Sequence, residues 1–323
     1  MAAGPERKLR WQLGMTQPRL VEPGGIYLVT RRTVRRHHLF APDPRVRRIF
    51  LYALAVAATR NGVLVHAVVL MSTHEHLVLS DPDGRLPSFL QYFHRLVALG
   101  IKQLRKWEGA VWDHEPTSVV ELRTPQAVVE ALAYLMGNPV AAGLVPCAKD
   151  WPGVTTRPSE LGCAVWTVER PTEYFAQDDA KWPPEVELRL HMPRAARDLG
   201  LTDAELRNVV ADELDQLERA ARARAKELGL GFLGADRCAK LSPFGRARSP
   251  EPERSRNPCF AVGRGNREAF FEAAERLRAF RLAYRQVFTA WRAGQRDAAF
   301  PAGTWLMRHR HGARVEEPAR SAA

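Results

Sequence analysis

The residues that could carry chemistry lie in two short segments. The first is His74-Glu75-His76, inside a run of β-forming residues. Side chains at i and i+2 of a strand leave the same face, so both imidazoles can reach one divalent ion while Glu75 turns the other way. Two structural histidines would show the same spacing. The second segment holds Tyr134 and Asn138, four residues apart and therefore on one helix face, directly before Pro139. If that helix packs on the sheet beside the histidines, Asn138 can offer a carbonyl oxygen as a third ligand and Tyr134 can set its phenol next to the ion. Taken alone, Tyr134 reads as a half-buried core aromatic. A free phenol, with a pKa near ~10, needs a nearby ion or base before it acts as a nucleophile at neutral pH.

The elements that must position these groups can be read from periodicity. GIYLVTRRT (25–33) alternates as a strand, Pro44 opens a helix that Asn61-Gly62 stops, and residues 63–71 and 74–80 form a hairpin about Ser72-Thr73. Pro87 begins a second helix to about Trp107. A short strand at 118–123 precedes a third helix, Gln126 to Asn138, which Pro139 is expected to end. Strand, helix, strand, strand, helix, strand matches the split βαβ arrangement of a ferredoxin-like antiparallel sheet, giving an α+β fold with a third helix left to pack beside it. Beyond Trp151 the chain is rich in Pro and Gly. Thr202 to Glu205 then makes a capping box for a charged helix to about Gly229, and the sequence loosens again around Ser249 to Pro252. A last helix repeats Phe270, Leu277, Tyr284 and Trp291 every seven residues, a packing stripe. The expected division is a domain at 1–165 and a mostly helical extension at 166–323.

The chain has 323 residues and a net charge of +12. Residues 1–60 hold twelve Arg and Lys, among them Arg7, Lys8 and Arg10, against three acidic residues, a net of +9 that points to a polyanionic partner. Arg31, Arg32, Arg35 and Arg36 follow the first strand, and Arg45, Arg47 and Arg48 open the first helix; these are the candidate DNA-binding residues. Their other reading is plain solvent exposure on an Arg-rich surface. No apolar run is long enough to span a bilayer, and the four cysteines form no CxxC pair, so a cytoplasmic protein without membrane contact is expected. No phosphate-cradling GxxxxGK[ST] loop occurs, which argues against nucleotide-driven chemistry. His66, in the hairpin partner of the His74 strand, is the candidate for a supporting role behind the ligands.

Together, YLVT (27–30), VHAVVLMSTHEHLVL (65–79) and YLMGNPVAAGLV (134–145) resemble the REP-associated tyrosine transposases, single-tyrosine members of the HUH group. The resemblance covers about residues 25 to 157, in order and with compatible spacings. It implies an HUH domain in which Mg²⁺ or Mn²⁺ is held by His74, His76 and Asn138. It implies further that Tyr134 attacks a DNA phosphate, leaving a 5′-phosphotyrosine link and a free 3′-OH. The implied partner is single-stranded or hairpin DNA with palindromic repeats. Two positions depart from the pattern: the middle of the histidine motif, usually bulky and apolar, is Glu75, and an Arg common after Asn-Pro-Val is Ala141. Glu75 must therefore be exposed, paired or protonated. The segment from Asn257 to Gly312 is similar to an extension found on some bacterial relatives. Two other readings stand beside cleavage: a domesticated DNA-binding protein of the same fold, and a metal phosphodiesterase that uses water instead of Tyr134. No oligomeric state follows from the sequence.

Overall fold

A computed structural model describes residues 18–247 and 258–317. Arg7, Lys8 and Arg10, the loose segment around Ser249 to Pro252, and Asn257 lie outside the described residues. In chain order the elements are β1 (Gly25–Arg32), α1 (Pro44–Asn61), β2 (Leu64–Met71), β3 (His74–Asp81), α2 (Leu86–Arg105), β4 (Ser118–Leu122) and α3 (Pro125–Ala141). There follow β5 (Val165–Glu169), β6 (Glu185–Arg189), α4 (Ala195–Asp198), α5 (Asp203–Glu227), α6 (Ala235–Ala239), β7 (Phe260–Ala261), α7 (Arg267–Arg292) and α8 (Leu306–His311).

Local chemistry sets the helix ends. Asp43 caps α1 by accepting from the Arg45 N–H, Pro44 supplies a preset φ, and Gly62, at φ 67°, closes the other end in the left-handed conformation. Thr124 caps α3 through the Ala127 N–H, and Thr202 with Glu205 completes the capping box on α5. One boundary differs from expectation: α3 runs through Pro139 to Ala141. A proline costs a helix the bond its own N–H would make and crowds the carbonyl four residues before it, and so late in α3 both effects fall in the last turn.

The main sheet has the order β2-β3-β1-β4-β7, and the first four strands are antiparallel throughout. That is the ferredoxin-like order, an α+β arrangement. The fifth strand, β7, adds parallel to β4 over two residues. The alternation of side chains divides the core in two. Tyr27, Val29, Val68, Leu70, Leu77 and Leu79 face α1 and α2, where Phe50 and Phe93 pack edge-to-face at 5.3 Å. Ile26, Ala67, Val69, Met71 and Val78 face α3, which buries Leu132, Leu135 and Met136 completely. Each such side chain contributes about 1.5–3 kcal/mol. The third helix thus covers the sheet face that the first two leave open, with α5 packed along it through Leu206, Val210 and Leu214.

The close approach of α1 and α2 depends on Gly100, where a Cβ would stand 2.6 Å from Ile49 Cγ2. Gly100→Val should overpack this crossing and cost about 1–3 kcal/mol, read as a lower urea midpoint. An unchanged midpoint would show that the helices can part there without loss.

The chain forms two compact units, residues 23–270 and the combination of 1–22 with 271–323. The expected division has its boundary near residue 165. The β5–β6 hairpin, absent from the expected helical extension, buries Val168 and Leu188 in the core of α1 and α2, and the Tyr52 hydroxyl donates to the Pro183 carbonyl at 2.7 Å. With α5 packed on α3, the chain as far as Phe270 belongs with the main sheet. In the other unit Phe280, Tyr284, Phe300 and Met307 form a small core, as the seven-residue stripe predicts for its middle. Phe270, at its start, is 51% exposed. Among the described residues, no helix is long and apolar enough to cross a membrane.

Candidate active site

The register of β1 against β3 decides which groups meet. Arg32 lies opposite His74, Arg31 opposite Glu75 and Thr30 opposite His76. Directly paired residues share a face. His74, His76, Thr30 and Arg32 therefore stand on the α3 face, and Glu75 with Arg31 on the face of α1 and α2. The imidazoles of His74 and His76 are 4.8 Å apart, ring centre to ring centre, and nearly perpendicular. Thr30 Oγ1 is hydrogen-bonded to His76 Nδ1 at 2.8 Å, and Thr73 Oγ1 to His74 Nδ1 at 3.0 Å.

His76 is buried, and its Nε2 has no hydrogen-bond partner among the described residues. Burial, then the neighbouring charges of His74 and Arg32, push its pKa well below the usual histidine value, while Asn138 works the other way. The ring is thus neutral at physiological pH. If Nδ1–H donates to Thr30, the lone pair of Nε2 is left buried and unused, the condition of an imidazole ready to bind a metal ion.

The α3 helix brings the other two groups. Asn138 is buried beside His76, and the Tyr134 ring stands 5.8 Å from the His76 ring, edge-on, while remaining 43% exposed. A phenol at this position can meet both the imidazole pair and a substrate arriving from solvent. His76 thus has His74, Tyr134 and Asn138 about it, the last two brought by α3 from far along the sequence.

Two solved transposase structures are similar to this chain. One is a REP-associated tyrosine transposase bound to a REP hairpin, at 17% identity over 45% of this chain and 84% of the other, with a TM-score of 0.39. The second is a protein of Deinococcus radiodurans R1 assigned to the transposases, at 22% identity over 33% of this chain and 85% of the other, with a TM-score of 0.26. No family model matches the chain, and no curated protein matches it either.

On the opposite face of β3, Glu75 is fully buried and paired. His94 Nε2 lies 2.5 Å from Glu75 Oε1, and Arg31 Nη1 lies 2.7 Å from His94 Nδ1. Arg31 also stacks over the Trp112 ring at 5.1 Å. One oxygen of the carboxylate in the middle of the histidine motif is thus accommodated by His94, a partner that spacing in the sequence does not show, while its Oε2 has no hydrogen-bond partner among the described residues. Burial lowers the His94 pKa, and Glu75 partly opposes that.

The arginines divide accordingly. Arg31, expected on DNA, is instead committed to His94 and Trp112 beneath the sheet, because alternation turns it away from Arg32. Arg31→Met should therefore cost about 2 kcal/mol of stability, short of the roughly 3–5 kcal/mol for a fully enclosed pair since the guanidinium is part-exposed. Arg35→Ala, at an exposed side chain, should stay within about 0.5 kcal/mol by the same denaturation measurement. Equal losses would refute the division. Arg35 and Arg36 sit in a left-handed turn at φ 48° and 54°, the Arg35 N–H donating to Asp113 Oδ2 at 3.2 Å. Arg45 pairs with Asp43, Arg48 with Glu169, and Arg47 lies over the Trp166 ring at 5.7 Å. These three are on α1, across the sheet from the imidazoles.

His66 does not support the ligands. Its Nδ1 lies 2.8 Å from the His191 carbonyl and its Nε2 2.7 Å from Ser80 Oγ, near the far end of β3. The register of β2 against β3 shifts between Val65 and Ala67, so His66 is the bulged residue and its ring is re-aimed. Thr30 holds His76 instead. Thr30 closes the YLVT segment of the resemblance, but its partner is not apparent before the register of β1 is known.

Proposed function

We propose that this chain cleaves and rejoins DNA strands through Tyr134, on single-stranded or hairpin DNA of the palindromic class that its motif resemblance implies. The observation that carries the reading is the solvent-open Tyr134 ring beside His76, whose buried Nε2 has no hydrogen-bond partner at ordinary distance among the described residues, with the Asn138 side chain beside the ring.

The donor set fits a divalent ion. His74, His76 and Asn138 would hold it, two nitrogens and a carbonyl oxygen being a set that favours Mn²⁺ over Mg²⁺. Such an ion would supply Lewis-acid polarisation of the scissile phosphate. Among the described residues, no group of three or more His, Cys, Asp and Glu side chains could hold a metal ion, so this reading depends on the Asn138 carbonyl as third ligand. Tyr134 gives up its phenolic proton and bonds phosphorus; the P–O3′ bond breaks, and the released 3′ oxygen takes a proton. The 5′-phosphotyrosine conserves the bond energy, so a 3′-OH returning to phosphorus can reseal the strand without a nucleotide cofactor. Thr30 holds the His76 ring in one orientation throughout, and the positive charge of Arg32 beside the imidazoles favours an approaching phosphate.

The test is incubation of the full chain with Mn²⁺ or Mg²⁺ and an end-labelled hairpin carrying single-stranded flanks, followed by denaturing electrophoresis. A protein-linked labelled band is expected. Binding without that band would favour a domesticated DNA-binding protein, and released product without an adduct would favour hydrolysis by water.

A further inference from the structure

We propose that Glu75, His94 and Arg31 are positioning residues, forming a chain on the hidden face of the sheet that fixes the rotation and register of β3 and so aims His74 and His76 at Tyr134 and Asn138. The inference rests on the cleavage reading above and deepens it.

Hydrogen-bond chemistry gives the chain one direction. A guanidinium can only donate, so His94 Nδ1, 2.7 Å from Arg31 Nη1, must accept. The proton of the neutral ring is then on Nε2, which donates to Glu75 Oε1. The imidazole bridges a cation on β1 to an anion on β3, and both belong to the same cross-strand pair. That pair stands between Thr30–His76 and Arg32–His74, the two pairs that form the site's wall. A one-residue slip of β3 would invert its faces and turn the imidazoles into the core of α1 and α2. The chain opposes that slip at the centre of the three pairs. Trp112 encloses it laterally: its Nε1–H donates to the His94 carbonyl at 2.9 Å and its ring lies 5.0 Å from the His94 ring.

Stability alone does not account for the arrangement. Apolar side chains in place of the whole Glu75–His94–Arg31 chain would fill this face without the desolvation of a carboxylate, and such complete replacements often leave stability unchanged or raised. The resembling motif has a bulky apolar residue at position 75. A buried carboxylate behind the two imidazoles is therefore better explained by the orientation it imposes than by the free energy it contributes.

The experiment compares the full-length wild type with Glu75→Gln and Glu75→Leu. The readouts are urea denaturation, ¹⁵N chemical shifts of the His76 ring in metal-free protein, and Mn²⁺ affinity by paramagnetic resonance titration. Glu75→Gln keeps an acceptor for His94 Nε2–H and should retain wild-type His76 shifts and an affinity within about threefold. Glu75→Leu should fold, yet shift the His76 resonances and weaken Mn²⁺ binding about tenfold or more. A folded Glu75→Leu with wild-type resonances and affinity overturns the proposal. If that variant does not fold, the Glu75→Leu/His94→Phe double variant, which removes the two fully enclosed polar members together, decides on the same criteria. Should the wild type bind no Mn²⁺, the metal part of the cleavage reading fails, while the His76 resonances of the metal-free variants still test the chain.

Discussion

Tyr134→Phe is expected to abolish the protein–DNA adduct and to lower strand cleavage by about 10³-fold or more, leaving fold and DNA affinity unchanged. The substitution removes one oxygen and nothing else. The phenyl ring keeps its edge-on contact with His76 at 5.8 Å, and a ring already 43% exposed contributes little packing that depends on its hydroxyl. Its stability cost should stay within about 0.5 kcal/mol. DNA affinity should persist because it comes from phosphate contacts by cations, and binding should weaken steeply between low and moderate salt in wild type and variant alike. Denaturing electrophoresis reads the adduct, and a filter or polarisation assay reads binding on the same samples. A covalent band that survives in the variant would assign the nucleophile elsewhere. Loss of the band with unchanged release of cleaved strand would mean that water attacks.

The site was legible in the sequence to the extent that its spacing is local. His74 and His76 share a face because strand periodicity is two, Tyr134 and Asn138 because helix periodicity is near four, and both statements hold before any packing is known. The elements β1 to β4 and α1 to α3 announce themselves by alternation, prolines and caps. What was missed depends on partners distant in sequence or on elements too short to show a period. Arg31 and Arg32 are adjacent and chemically identical, and only the knowledge that β1 is central in the sheet separates the half-buried arginine under the sheet from the one beside the imidazoles. Glu75 could be read as exposed, paired or protonated, but its partner His94 lies on α2 and no spacing links them. His66 was misplaced because a bulge breaks the register from which its position was inferred. The β5–β6 hairpin carries a signal, Val186 and Leu188 alternating with Glu185, Glu187 and Arg189, yet its strands have five residues each and are separated by a Pro-containing loop. Strand β7, at two residues, has no period to read.

Acidification from pH 6.5 to 4 is expected to destabilise the residues 23–270 unit by about 3 kcal/mol through His66 alone, with His76 and His94 adding in the same direction. The cause is three buried imidazoles held neutral. His66 is pushed down to about 4 by burial, with its Nδ1–H donating to a backbone carbonyl and its Nε2 accepting from Ser80. His76 and His94 are lowered in the same direction, both chiefly by burial. Each pKa lies below that of the unfolded chain, so the unfolded state takes up protons first. Stability is therefore complete above about pH 6.5 and is lost as the pH falls towards each folded value. For His66 alone the interval from 6.5 to about 4 corresponds to roughly 3 kcal/mol. Asp81 acts in the opposite sense: burial raises its pKa, so its protonation near the acid end favours the folded state and partly offsets the loss. Urea midpoints measured from pH 8 to 4.5 should be flat above 7 and fall steeply below 6.5. His66→Asn, which keeps a donor for the His191 carbonyl but cannot titrate, should be weaker at pH 7 and lose stability less steeply, by up to about 1.4 kcal/mol per pH unit. A wild-type midpoint that stays flat down to pH 5 would mean that these rings take up protons without unfolding. The His76 lone pair would then not be the enclosed, neutral donor on which the candidate site depends.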